Sequence, residues 1–128
     1  SALGHSPNSF GLFMATTAYS SEGAKWLDKL IKYIDGNRNL FDRAIDAIPG
    51  LKSMPLEGTY LAWVDFSGTG MEEKEFIHRV QEKANIAVNH GSTFGAGGEN
   101  FLRFNLATPR ARIVEATKRL EEAFSDLQ

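Results

Sequence analysis

Apolar residues recur at helical spacing through the first fifty positions and alternate with polar ones in later, shorter stretches. Phe10, Phe13, Met14 and Ala18 mark a short helix, with Asn8 or Ser9 as its N-cap. After Ser20 or Ser21 as a second cap, Trp26, Leu27, Leu30, Ile31, Ile34, Phe41, Ile45 and Ile48 fall on one drifting stripe, which Pro49-Gly50 ends. At 1.5 Å per residue this helix would measure roughly 40 Å. A compact domain of 128 residues has a diameter of only about 36 Å. Either the helix breaks near Gly36, or it leans on a neighbour outside this chain; the second is preferred.

Beyond Gly50 the period changes. From Gly58 to Phe66, Tyr60, Ala62, Val64 and Phe66 alternate with Thr59, Leu61, Trp63 and Asp65, which predicts a strand. A capping box from Thr69 to Glu72 opens a helix that buries Phe76, Ile77, Val80 and Ala84. "NIAVN" reads as a short strand, "GSTFGAGGEN" as a glycine-rich loop and "FLRFNLAT" as another strand. Thr108-Pro109 supplies an N-cap and an N1 proline for a last helix carrying Ile113, Ala116, Leu120, Phe124 and Leu127. With a weak strand near "LKSMP", the order is α-α-β-β-α-β-β-α. That order predicts an α/β two-layer domain: a short, mostly antiparallel sheet covered by helices on one face and preceded by a long helix.

The phase of the last strand singles out one residue. Leu102, Phe104 and Leu106 point to the helices, whereas Phe101, Arg103, Asn105 and Ala107 point to the second face, with Leu61 and Trp63. Arg103 is thus a permanent cation among apolar neighbours. It is either one half of a loose surface ion pair with Asp65 or Glu57, or a fork that receives a ligand carboxylate.

Composition removes several alternatives. The net charge is −2, without a basic stripe, so nucleic-acid binding lacks its electrostatic support. No apolar run reaches the length of a membrane span, no secretory signal opens the chain, and there are no cysteines to form disulfides or thiolate metal sites. A cytoplasmic location is the expectation. "FGAGGEN" is followed by a strand where a nucleotide loop needs a helix, and "SGTGMEE" has no P-loop lysine; both read as turns needing positive φ. His5, His78 and His90 show no metal-ligand spacing, and a His90/Ser92 nucleophile pair has no third orienting group. None of the seven lysines stands out as a desolvated Schiff-base former. One ligand-binding residue without a catalytic set is the signature of part of an active site.

"NSFGLFMATTAY", "GAKWLDKLIKYIDGNRNLF", "EGTYLAWVDF", "AVNHGSTFGAGGENFLRFNLATPR" and "ATKRLEEAF" together resemble the C-terminal part of fold-type I pyridoxal-phosphate enzymes. Within the class I/II aminotransferase family, the likeness is to cystathionine β-lyase-like C–S lyases, in order from about Asn8 to Phe124. The resemblance implies that residues 1–20 continue from a missing N-terminal cofactor domain and that residues 21–128 form the small domain. It also implies that this domain closes over the amino-acid substrate and that Arg103 binds the substrate carboxylate. Pyridoxal 5'-phosphate would be the cofactor of a full-length homodimer acting on a sulfur amino acid such as cystathionine or cysteine. The motif before the glycine-rich loop departs from the family: His90-Gly91 stands where Pro-Gly is usual. The cofactor lysine and phosphate-holding residues would precede this segment, so no catalytic, cofactor-binding or metal residue is assigned here and the segment alone is expected to be inactive. A plain aminotransferase is the alternative within enzymes. A stand-alone interaction module is the alternative outside them.

Overall fold

Helices and strands follow in the order read above: α1 (Ser9–Ala18), α2 (Ser21–Asp46), β1 (Lys52–Ser53), β2 (Leu61–Asp65), α3 (Glu73–His78), β3 (Asn89–His90), β4 (Phe101–Asn105) and α4 (Arg110–Ala123). The computed structural model describes residues 7–127, so His5 lies outside the described residues. These residues fall into two units, divided between Tyr33 and Ile34.

In the first unit, Asn8 caps α1: its Oδ1 accepts a hydrogen bond from the Gly11 N–H at 2.6 Å. Ser20 caps α2 in the same way, its Oγ accepting from the Gly23 N–H at 3.1 Å. No residue of α1 is buried. Phe10 and Phe13 are 70% and 69% exposed, and Trp26 is 65% exposed.

In the second unit the strands form one sheet of order β1-β2-β4-β3, with every neighbouring pair antiparallel. Ala62 lies opposite Phe104 and Val64 opposite Leu102, and all four are buried. Helical residues cover this face: Phe41 and Ile45 from α2, Phe76 and Val80 from α3 and its extension, and Ile113, Leu120 and Phe124 from the last helical segment. Phe66 stacks on Phe76 with centroids 4.8 Å apart and meets Phe124 at 5.9 Å. Each fully buried aromatic of this kind contributes about 1.5–3 kcal/mol of transfer free energy. The helix-facing phase expected of Leu102, Phe104 and Leu106 is the phase found.

Of the two readings of the long helix the unbroken one holds, and three other local expectations are corrected. The helix does not break at Gly36, since α2 runs through it. A Cβ there would collide with the guanidinium of Arg110. Arg110 Nε donates to Asn37 Oδ1 at 3.1 Å, and Asn37 Nδ2 donates to the carbonyls of Leu106 (3.0 Å) and Thr108 (2.9 Å). Glycine at position 36 therefore leaves room for a side chain that ties α2 to the β4–α4 corner, and the buried amide of Asn37 is satisfied as both donor and acceptor.

Thr69 does not form a capping box. Its hydroxyl donates to the Phe66 carbonyl at 2.7 Å and accepts from the Met71 N–H at 3.1 Å, closing a short 3-10 turn. Gly70, at φ 69°, reverses the chain before Glu72 takes the N-cap place of α3. The helix then widens into a π turn over Arg79–Lys83, which still buries Val80. Pro109 is the N-cap of α4 rather than its first helical residue, and no side chain caps that end. The strand expected in "NIAVN" pairs only at Asn89, together with His90, and Asn85 at its start is left-handed (φ 52°).

Candidate functional site

Arg103 sits at the middle of β4, opposite Trp63 of β2 on one side and Asn89 of β3 on the other. Residues directly opposite in antiparallel strands project to the same face, so all three side chains share the sheet's second face. The backbone there is paired on both edges, which gives Arg103 a rigid base.

The guanidinium is held by neutral groups. Its Nη2 donates to Asn89 Oδ1 at 2.9 Å. It lies over the Phe94 ring, with Cζ 4.6 Å from the ring centroid, within the range of a cation–π contact. Trp63 stacks on Phe101 at 5.4 Å and meets Phe94 edge-on at 5.6 Å, completing an aromatic wall. Nε is buried and has no hydrogen-bond partner. Among the described residues no carboxylate lies within ion-pair distance of Arg103. The surface pair with Asp65 or Glu57 is not formed; Asp65 instead accepts from the Ser67 N–H at 2.8 Å. A cation with most of its five donors uncommitted, on a stiff strand and beside apolar rings, is chemically suited to an anion that brings its own two acceptors.

The glycine-rich segment positions Phe94. After β3 the chain makes a 3-10 turn over Gly91–Phe94, then passes Gly95 (φ 122°) and Gly97 (φ 91°), both left-handed as expected of turn glycines. Gly91 and Gly98 have a different reason: their backbones touch, and a Cβ on Gly91 would lie 2.6 Å from the Phe101 carbonyl oxygen and nearer still to that of Gly98. That crossing brings the two ends of the loop together beside β4.

Other candidates do not assemble. The Ser92 hydroxyl donates to Glu73 Oε1 at 2.7 Å, while His90 Nε2 faces Gln81 Oε1 at 3.3 Å, so the two side chains serve different partners. His78 lies at the exposed end of α3. Among the described residues there is no group of three His, Asp or Glu able to hold a metal ion, and no helix long and apolar enough to cross a membrane. All seven lysines are exposed. Exposure leaves each of these amines solvated, whereas one route to a Schiff-base lysine is desolvation of the amine. The partners of Arg103, Asn89 and Phe94, were not singled out from sequence. The only signal for them is that strands closing across the glycine-rich loop must place some residue of "AVNH" opposite "FLRFN", and a ten-residue connection does not set the register.

Residues 2–120 match the model of the family described as aminotransferase class I and II. Cystathionine beta-lyase PatB of Bacillus subtilis (strain 168) is 34% identical over 119 residues, which cover 92% of this chain and 30% of PatB. The crystal structure of cystalysin from Treponema denticola, which contains a pyridoxal 5'-phosphate cofactor, superposes with a TM-score of 0.86 at 36% identity, over 99% of this chain and 32% of cystalysin. The aromatic aminotransferase of Pyrococcus horikoshii OT3 gives a TM-score of 0.79 at 26% identity, over 88% of this chain and 30% of that enzyme. The chain thus spans about 30% of the length of the relatives it matches.

Proposed function

This chain belongs to the class I and II aminotransferase family, and on that premise we propose that it is the substrate-closing, carboxylate-binding part of a pyridoxal-phosphate-dependent C–S β-lyase acting on a sulfur amino acid such as cystathionine or cysteine. The observation that carries this reading is the guanidinium of Arg103, presented from a central strand and, among the described residues, paired with no carboxylate. The likeness to PatB and to cystalysin supports the lyase assignment.

In this reading residues 1–20 continue from an N-terminal cofactor domain and residues 21–128 are the small domain. Arg103 receives the α-carboxylate through two parallel N–H···O bonds. Fixing the carboxylate fixes the rotation of the Cα substituents, which is an orientation effect on the reacting bonds. Closure of the aromatic wall beside it excludes water and strengthens the same ion pair. The cofactor is held by residues outside this chain, the whole protein is a homodimer, and the segment alone is inactive. An aminotransferase is the second reading, favoured by the likeness to the Pyrococcus horikoshii enzyme.

Both rest on the same arginine. Removing a charge-assisted bidentate contact costs about 1.5–3 kcal/mol, or roughly ten- to over a hundredfold in kcat/KM. Arg103→Ala in the full-length holoenzyme is expected to lose that much on the amino acid while its cofactor absorbance and cofactor affinity stay unchanged. Unchanged kcat/KM overturns the assignment of Arg103. Release of a thiol with ammonia and a keto acid distinguishes the lyase from an enzyme that passes the amino group to an acceptor keto acid.

A further inference from the structure

We propose that Asn89 is a positioning and selectivity residue: it holds the Arg103 guanidinium by a neutral acceptor, so that the cation stays aimed and unneutralised for a carboxylate ligand. This rests on the reading of Arg103 given above and adds a residue and a reason to it. A guanidinium has three restraints available: a ring beneath its cation, a hydrogen bond along its edge, and charge pairing. Phe94 supplies the first and Asn89 the second. The third is absent among the described residues.

The hydrogen-bond inventory narrows the ligand edge. Nε is buried and unreachable, and one hydrogen of Nη2 goes to Asn89. The donors that remain are the two hydrogens of Nη1 and the second hydrogen of Nη2, so the open side of the fork is the one away from Nε. An aspartate at position 89 would have the same shape and accept the same bond, yet it would neutralise the cation and set a like charge beside the incoming carboxylate. An amide carbonyl keeps the geometry without that penalty. Asn89 is exposed and sits in the cross-strand register position of Arg103, so the exchange to aspartate leaves the sheet intact.

The test compares Asn89→Asp, Asn89→Ala and Arg103→Ala in the full-length holoenzyme. The probes are the amino-acid substrate and its decarboxylated amine counterpart, the latter as a competitive ligand. Asn89→Asp is expected to raise KM for the amino acid about tenfold or more, with kcat moved by less than roughly threefold and affinity for the amine unchanged. Asn89→Ala, which loses the restraint but not the charge, raises KM by less than Asn89→Asp does. Equal KM for Asn89→Asp and wild type overturns the proposal. So does parallel weakening of amine and amino acid, which is the mark of a merely structural residue. If Arg103→Ala weakens the amino acid and Asn89→Asp does not, only the role of Asn89 falls. If Arg103→Ala also leaves the amino acid untouched, the carboxylate reading beneath it falls as well.

Discussion

Two arginines of this chain show how surroundings decide what a guanidinium is for. Arg79 is committed to carboxylates: Nε reaches Glu75 at 2.8 Å, Nη2 reaches Asp126 Oδ2 at 2.9 Å, Nη1 bonds the other Asp126 oxygen, and the group lies over the Phe124 ring. Among the described residues Arg103 has one neutral acceptor and one ring. The first is a structural clasp between α3 and the C-terminal turn, and it carries a pH signature. Hydrogen bonds from Arg79 hold both Glu75 and Asp126 below their ordinary carboxylate values. A carboxylate whose folded pKa is depressed stabilises the fold fully above its unfolded value, near 3.9 for Asp and 4.3 for Glu, and that contribution is lost as pH falls through the folded value. Asp126→Asn is therefore expected to be slightly less stable than wild type at pH 7, with the gap closing as pH drops below about 4. Urea midpoints at both pH values read this directly. A gap of the same size at pH 3 would show that the clasp acts through shape and not through ionisation.

At the scale of elements, the glycine-rich connection between β3 and β4 controls whether Arg103 is presented at all. Gly91 and Gly98 touch through backbone atoms, so a methyl on either must push main chain and not a yielding side-chain tip. Gly91→Ala should cost about 1–3 kcal/mol, the usual penalty of overpacking. It should also shift Asn89, two residues away, and Phe94, three residues away. The expected result is a lower melting temperature together with a raised KM for the amino acid. A melting loss without any change in KM would mean that the loop shapes only the fold. This connection also marks how far the sequence could be read. Alternation in β2 and β4 was legible because one face is buried, and Ala62, Val64, Leu102 and Phe104 obey it. The pairing of Asn89 with Arg103 was not, because register across a loop is a tertiary fact. Local capping signals were misread for a related reason. Thr69 had two acceptable partners, the helix start and the Phe66 carbonyl, and the left-handed Gly70 decided for the second. Gly36 reads as a weak point by propensity alone, and only the approach of Arg110, far along the chain, shows its use.

For the molecule as a whole, α1 poses the remaining physical problem. Its residues are apolar around most of the circumference, yet none is buried. A helix of that kind belongs inside a larger body. Phe10, Phe13 and Trp26 are each about two-thirds exposed, and aromatic side chains bury roughly 150–250 Å² apiece when covered. This much exposed aromatic surface exceeds what a monomer normally tolerates without a partner. The proposed cofactor domain supplies the cover; a self-sufficient interaction module would have to live without it until its ligand arrived. The two readings therefore part on a simple comparison. Residues 1–128 expressed alone should self-associate as concentration rises and bind a hydrophobic dye, with α1 amides exchanging within the dead time of a hydrogen-exchange experiment. The same amides in the full-length protein should be protected by a factor of at least about a hundred, the equivalent of roughly 3 kcal/mol of local stability. A monodisperse isolated chain with slowly exchanging α1 amides would favour the module, because it would mean that these apolar residues are content without the rest of an enzyme.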